Sequence, residues 1–146
     1  MTDFQESWVA PVQVWVASLI VAIIAGATLP AGATGARAVV PYVVFVTLVV
    51  LALLVVSRGR VRVAGGVLSV PGARIALDQL GGVRVLDREA TRRLRGPLAQ
   101  PWAFVATRGW LSESVQVYIE DPEDDTPYWL IGSRRPEDLA AALRRR

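Results

Sequence analysis

The first third of the chain consists of two long apolar stretches. No charged side chain occurs in residues 7–36 or in residues 38–57. Each stretch is long enough to cross the hydrocarbon core of a bilayer, which takes about 20 apolar residues in a helix that rises about 1.5 Å per residue. The pattern predicts transmembrane helices at about residues 8–29 and 39–56, joined by a short turn rich in Pro and Gly. Residues 1–57 are therefore interpreted as a helical hairpin.

A cleaved signal peptide is the alternative for the first stretch, because Ala31, Gly32 and Ala33 resemble a cleavage site of small residues. Two features argue against it. The residues before the stretch include Asp3 and Glu6 and no Arg, whereas a signal peptide begins with a basic region. The apolar stretch is also longer than the apolar part of a typical signal peptide. The uncleaved hairpin is the preferred interpretation.

The placement of arginine predicts the orientation in the membrane. Arg58, Arg60, Arg62 and Arg74 follow the second stretch closely, whereas the turn between the stretches carries only Arg37. Basic residues collect in the loops on the cytoplasmic side of a membrane. We therefore predict a protein of the cell membrane that crosses it twice, with both termini in the cytoplasm.

Side chains of the two predicted helices indicate their surroundings. Trp8 and Tyr42 lie near helix starts, where aromatic rings often meet the membrane interface. Ser18, Ala22 and Gly26 stand four residues apart and form a stripe of small residues, which lets helices approach closely. The stripe either packs against the second helix, which we prefer, or docks another membrane protein. Neither span contains an ionisable residue, so no ion or proton path is predicted.

After residue 57 the apolar positions alternate with polar ones. Arg and Val alternate in residues 60–63, Gly65 and Gly66 can form a two-residue turn, and residues 67–70 follow, which together predict a β-hairpin. Further strands are predicted at residues 74–77, 82–86, 103–108, 114–120 and 128–131. The second part of the chain is therefore rich in β-structure.

The alternation also indicates which face of a strand is buried. Val115, Val117 and Ile119 share one face and Gln116 and Glu120 lie on the other, which predicts an antiparallel sheet with one face in water. Short helices are predicted at residues 87–95 and 136–143, the second with Pro at its start and Arg at its end. We predict an α+β chain in which residues 58–146 form a small, mostly antiparallel-β domain with a C-terminal helix, similar to the pleckstrin-homology-like fold.

The composition removes most catalytic chemistry. The chain of 146 residues has no Cys and no His, and its 16 basic residues are all Arg. Thiolate, imidazole and lysine chemistry are therefore absent. The acidic residues 120–125 lack the spacing of a calcium loop and are interpreted as a solvated loop. We predict no enzymatic activity, no cofactor and no metal.

Four arginines of the predicted middle helix form a candidate surface for lipid or for a partner. Arg88, Arg92, Arg93 and Arg95 lie at helical spacings that bring several guanidinium groups together. Beside an anionic leaflet, each can gain about 1 kcal/mol. The alternative is a solvated basic face that neighbouring acids partly neutralise. Nucleic acid is not a predicted partner, because the net charge is only +3 and no binding motif is present.

Large aromatic side chains form a second candidate site in the β-rich domain. Trp102, Trp110, Tyr128 and Trp129 are either a platform on which a ligand stacks, or part of the core or of the edge that meets the bilayer. The predicted function is a non-enzymatic, membrane-anchored module that interacts with the lipid bilayer and with anionic headgroups or a membrane protein partner. The alternative is an accessory subunit of a transporter or envelope-synthesis complex that docks through the hairpin.

Two short motifs resemble those of a known family. Pro-Tyr-Trp-Leu at residues 127–130 is followed closely by Arg-Arg-Pro-Glu at residues 134–137, and Val-Arg-Val-Leu-Asp occurs upstream at residues 83–87. With the order of hairpin and domain, these resemble an actinobacterial family of small membrane proteins, domain of unknown function 3093 (DUF3093). The resemblance implies an integral membrane protein with no assigned activity and no catalytic residues.

Overall fold

A computed structural model describes residues 4–29, 32, 34–121 and 125–144. The chain forms two compact units. The helical unit comprises residues 9–58, and the β unit comprises residues 1–8 and 59–146. The predicted division into residues 1–57 and 58–146 differs from this at the N-terminus, because the residues that precede the first helix belong to the β unit.

The elements follow one another in a simple order. They are β1 (Phe4–Ser7), α1 (Val12–Thr28), α2 (Ala36–Val56), β2 (Arg60–Ala64), β3 (Val67–Val70), β4 (Ala73–Ala76), a 3₁₀ turn (Leu77–Gln79), β5 (Leu80–Leu86), α3 (Arg88–Arg95), β6 (Phe104–Ala106), β7 (Glu113–Ile119), β8 (Tyr128–Ser133) and α4 (Pro136–Arg144). The predicted α+β class, the mostly antiparallel sheets and the C-terminal helix are confirmed.

The helical unit is an antiparallel pair of helices. The amide of Ala10, just before α1, donates to the hydroxyl of Ser57, just after α2, at 3.2 Å. The first helix begins at Val12 and not at residue 8, because Pro11 has an extended backbone and residues 4–7 form a strand. The second begins at Ala36, so that Arg37 lies in its first turn. Of the predicted turn between the helices, residues 30, 31 and 33 lie outside the described part of the chain.

Four strands form the first sheet of the β unit, in the order β1-β2-β3-β4, with every neighbouring pair antiparallel. The predicted hairpin is present, and its turn residues Gly65 and Gly66 have φ values of +58° and +75°. Positive φ at both positions is typical of the two-residue turn that joins twisted strands. Strand β1 was not predicted, and it pairs with β2 from Phe4 opposite Val63 to Ser7 opposite Arg60.

The second sheet has the order β5-β7-β8-β6. Its pairs are antiparallel except for β6 and β8, which run parallel. The main core is formed by one face of each sheet and by α4. Side chains that are less than 2% exposed there include Trp8, Val61, Leu68, Val115, Ile131, Leu139 and Leu143.

Helix α3 covers the other face of the second sheet. Leu86, Tyr128 and Leu130 of the sheet pack there against Ala90 and Leu94. This contradicts the predicted wet face at Gln116, which is only 5% exposed, and Ser114 on the same face is fully buried. The strand pattern alone indicated water because both residues are polar, but α3 covers this part of the face. Arg84, paired with Gln116, and Tyr118 lie on the same face outside that part and are exposed. Glu120 is exposed, as predicted.

Strand β1 and the residue after it are anchored firmly in the β unit. Trp8 is fully buried in the main core, and its amide donates to the carbonyl of Gly59 at 2.8 Å. The buried carboxylate of Glu6 accepts from the hydroxyl of Ser133 at 2.5 Å and from the amide of Arg134 at 2.7 Å. The prediction that Trp8 starts a helix at the membrane interface is therefore wrong. Its ring fills the core instead, where apolar area is removed from water.

Candidate functional site

The two connections between the units leave the β unit side by side. Ser7 and Arg60 are paired across β1 and β2. The next residue toward the helices on each strand is Trp8 or Gly59, and the amide of Trp8 donates to the carbonyl of Gly59 at 2.8 Å. Gly59 is required here, because a Cβ at this position would lie 2.7 Å from the Trp8 ring. The helical unit thus begins and ends at neighbouring points of one sheet.

The helical unit exposes apolar side chains almost everywhere. Helix α2 has a mean hydropathy of 3.0 over its most apolar 18 residues, and only 6% of that window is buried. Among the described residues it is the one helix that is long and apolar enough to cross a membrane, and α1 is a shorter apolar helix of 17 residues. Ile24 on α1 and Leu48 on α2 are 59% and 57% exposed. A core helix of a soluble protein would bury such residues.

The predicted stripe of small residues on α1 faces α2. Ala22 and Gly26 are buried and Ser18 is half-buried. A Cβ added to Gly26 would lie 2.9 Å from Cδ1 and 3.1 Å from Cα of Tyr42 on α2. The stripe therefore lies at the contact between the two helices of the same chain.

Local interactions place α3 on the second sheet. The carboxylate of Asp87 caps the helix by accepting from the amide of Ala90 at 2.8 Å. On the buried side, the hydroxyls of Thr91 and Ser114 are 2.8 Å apart and share a hydrogen bond. Because the buried side is tied to β7, the opposite side of α3 faces solvent.

The four predicted arginines of α3 are all exposed, but they do not form one cluster. Arg93 is paired with Glu89 on the preceding turn, at 3.0 Å. Arg88, Arg92 and Arg95 instead line a shallow depression of about 410 Å³, together with residues 109, 111 and 112 of the loop between β6 and β7. The side chains of these three arginines make no ion pair or hydrogen bond with another residue in the described part of the chain. Three guanidinium groups are therefore available to an anionic partner.

The predicted aromatic cluster is divided between the core and the surface. Tyr128 and Trp129 are buried on opposite faces of the second sheet, and Trp110 packs half-buried against the main core. Trp102 is 79% exposed, and Leu98, four residues earlier, is 59% exposed. These side chains therefore form no common platform, and only Trp102 is available for binding.

Acidic side chains form no evident site. Residues 122–124 of the predicted acidic loop lie outside the described residues, and the carboxylate of Asp121 accepts from the amide group of Gln79 at 3.1 Å. In the ranges that the structure describes, no three acidic side chains lie together as a ligand set for a metal ion. Glu6 is the most buried carboxylate of the described residues. It was not among the predicted site residues, and its hydrogen bonds anchor β1 to the end of β8.

Comparison with known proteins identifies a family and no function. A family model described as "Protein of unknown function (DUF3093)" matches residues 3–143. None of the curated proteins matches the chain, and none of the solved structures does. The family match includes both the helical unit and the β unit and leaves out only a few residues at each end. The chain therefore belongs to the DUF3093 family.

Proposed function

We propose that the protein is a non-enzymatic interaction module anchored in the cell membrane. In this proposal the helical unit crosses the bilayer twice and the β unit lies on the cytoplasmic side. The observation that carries the proposal is the pairing of β1 with β2. Because the strand before α1 and the strand after α2 are neighbours, the chain must leave one side of the membrane and return to that side.

The position of β1 also argues that α1 is retained. A signal peptide would be removed together with everything before it. Cleavage after α1 would therefore take away β1, the buried Trp8 and the carboxylate that Ser133 and the amide of Arg134 contact. The 17 residues of α1 are within the range of about 17–25 that membrane helices use. An uncleaved α1 leaves the β unit complete.

The distribution of charge supports a cytoplasmic β unit. Arg58, Arg60 and Arg62 follow directly after α2, whereas the turn between the helices is flanked by Arg37 alone. Within the bilayer, the helices would satisfy their own backbone hydrogen bonds and present apolar side chains to lipid. This arrangement explains why residues such as Leu48 are not buried by the protein itself.

The β unit is the part proposed to interact with partners. Its two sheets with a C-terminal helix support the comparison with the pleckstrin-homology-like fold. Two features differ from that fold: β6 is parallel to its neighbour, and β1 precedes the two proposed membrane helices. The small-residue stripe of α1 is used in the contact with α2, which favours the β unit over the hairpin as the docking element. Arg88, Arg92 and Arg95 are the proposed contacts for an anionic membrane protein partner.

Reporter fusions test the anchoring. We expect a reporter that is active only in the cytoplasm to be active at both termini, and a reporter that is active only outside the cell to be active in the turn between Gly32 and Gly35. An insertion between Gly65 and Gly66, in the turn between β2 and β3, is the matched control and should report the cytoplasm. Termini on opposite sides of the membrane, or an exported C-terminus, would contradict the proposal.

A further inference from the structure

We propose that the outer face of the first sheet binds the phosphate groups of anionic lipids in the leaflet next to the β unit. The inference rests on the proposed membrane anchoring and adds a lipid-binding surface that is separate from α3. The outer face comprises the residues that alternate with the buried ones, namely Gln5, Ser7, Arg60, Arg62, Ala64, Val67, Ser69, Arg74 and Ala76.

The register of the sheet brings distant arginines into one row. Arg62 pairs with Gln5 on one side and with Ser69 on the other, and Ser69 pairs with Arg74. Neighbouring strands are about 4.8 Å apart, so the backbones of Arg62 and Arg74 are separated by about 10 Å with a hydroxyl between them. Two flexible guanidinium groups on either side of a hydroxyl can reach one phosphate. Arg60 lies two residues from Arg62, on the same face of β2.

The charge of this face is unbalanced. Its nine residues include three exposed arginines and no acidic residue. The side chains of the three make no ion pair or hydrogen bond with another described residue. Some other arginines of the β unit are occupied, since Arg93 pairs with Glu89 and Arg144 donates to the carbonyl of Val83. The first sheet therefore presents unpaired positive charge, which is complementary to an anionic surface.

The length of the chain limits how far Arg60 can lie from the end of α2. Arg60 follows Val56, the last residue of α2, by four residues, which span at most about 14 Å when fully extended. The headgroup region adds about 5–8 Å to each side of the hydrocarbon core, and the Debye length at physiological ionic strength is about 8 Å. Arg60 and its neighbours therefore remain within the field of the leaflet, which favours a lipid over a soluble anion as the occupant.

Helix α3 provides a matched control surface. It covers the face of the second sheet that points away from the main core, whereas the outer face of the first sheet lies on the far side of that core. A flat leaflet cannot contact both surfaces at once. Replacing two arginines on one surface or the other removes the same charge each time, so a difference in binding shows which surface contacts the lipid.

Native mass spectrometry of the full chain in detergent micelles can measure the binding of phosphatidylglycerol, with phosphatidylcholine as the neutral comparison. Each arginine near an anionic surface contributes about fivefold in affinity. We expect Arg62→Gln with Arg74→Gln to weaken phosphatidylglycerol binding roughly 25-fold. The control pair Arg88→Gln with Arg92→Gln should leave it within about twofold. Higher salt should weaken binding to the unmodified chain.

Several outcomes would overturn the proposal. The first is equal binding of phosphatidylglycerol and phosphatidylcholine. The second is phosphatidylglycerol binding that weakens with the α3 pair of substitutions but not with the sheet pair, or that weakens with neither. The third is displacement of the lipid by inorganic phosphate. Thermal unfolding of the variants controls for folding, and if the sheet pair is unstable, Arg62→Lys with Arg74→Lys replaces it and should bind more weakly than the unmodified chain. Failure of the anchoring appears separately, as extraction of the chain from membranes by carbonate.

Discussion

The helical unit and the β unit place their apolar side chains in opposite directions. In the β unit, Leu68, Val115 and Leu130 are completely buried. In the two helices of the helical unit, only Ala22, Gly26 and Leu53 are buried. Because exposing apolar surface to water is unfavourable, this difference agrees with the membrane anchoring that we propose for the helical unit.

This difference separates two sources of stability. The β unit is held together by burial and by hydrogen bonds between residues far apart in sequence, such as Glu6 and Ser133. The helices make their backbone hydrogen bonds locally, and in a lipid environment their association depends on close packing more than on the hydrophobic effect. Truncating a large side chain should therefore damage the β unit, whereas enlarging a small one should damage the helical unit.

The largest expected effect is that of Trp8→Ala. This residue adjoins the helical unit in sequence but fills the core of the β unit, so its loss should destabilise the β unit by about 3–5 kcal/mol. Amide hydrogen exchange of β2 and β8 in the full chain measures the change. Trp102→Ala is the control, since this side chain is 79% exposed, and it should alter stability by less than about 0.5 kcal/mol. Equal effects of the two substitutions would contradict the burial of Trp8.

Replacement of the buried carboxylate tests the anchoring of β1. Glu6→Gln keeps the size but removes the charge that accepts from Ser133 and from the amide of Arg134, which should cost about 1.5–3 kcal/mol. The matched control is Glu113→Gln, because this carboxylate is exposed. Denaturant unfolding of the β unit provides the measurement. Unchanged stability of the Glu6 variant would mean that β1 is held by backbone pairing alone.

Enlarging the helix contact should affect the other unit. Gly26→Leu places a side chain against the backbone of Tyr42, where even a Cβ would lie 3.1 Å from Cα, and should weaken the helix pair by about 1–3 kcal/mol. The midpoint of an SDS titration in mixed micelles reports this change. Ala27→Leu is the control because Ala27 is exposed. If hydrogen exchange of the β unit accelerates to the same extent as that of the helices, the two units do not respond separately.

The smallest expected effect concerns the hydrogen bond that joins α3 to β7. Thr91→Val should cost about 1–2 kcal/mol, because it leaves the buried hydroxyl of Ser114 without its partner. Adding Ser114→Ala should recover part of the loss, since both polar groups are then absent. A double-mutant cycle on the unfolding free energy measures the coupling. Purely additive effects would show that the two hydroxyls do not interact.

Local signals in the sequence predicted much of the β unit. The alternation before and after Gly65 and Gly66 indicated the first hairpin, and Asp87 marked the start of α3. These features depend on neighbouring residues, whose turn and cap chemistry is independent of the rest of the fold. The exposure of Gln116 was predicted wrongly, because what covers β7 is a helix that the strand's own pattern does not encode.

The candidate site was predicted less completely. All four arginines of α3 were identified, and the pairing of Arg93 with Glu89 is a local contact between neighbours on the helix, as the alternative of partly neutralising acids expected. The separation of the other three toward the loop at residues 109–112 depends on how α3 is oriented on the sheet. The arginines of β2 and β4 served in the sequence analysis only to predict orientation. Their alignment in one row required the strand register.

The sequence by itself determined that an apolar pair of helices precedes a β-rich domain, because hydrophobic periodicity and turn chemistry are local properties of the chain. Only the tertiary structure decided that the segment before the helices pairs in the same sheet as the segment after them. A strand of four residues, Phe4–Ser7, carries too short a pattern to be recognised, and its partner Arg60–Ala64 lies beyond both helices. Its stability comes from the burial of Trp8 and from the hydrogen bonds of Glu6, which exist only once distant segments have come together.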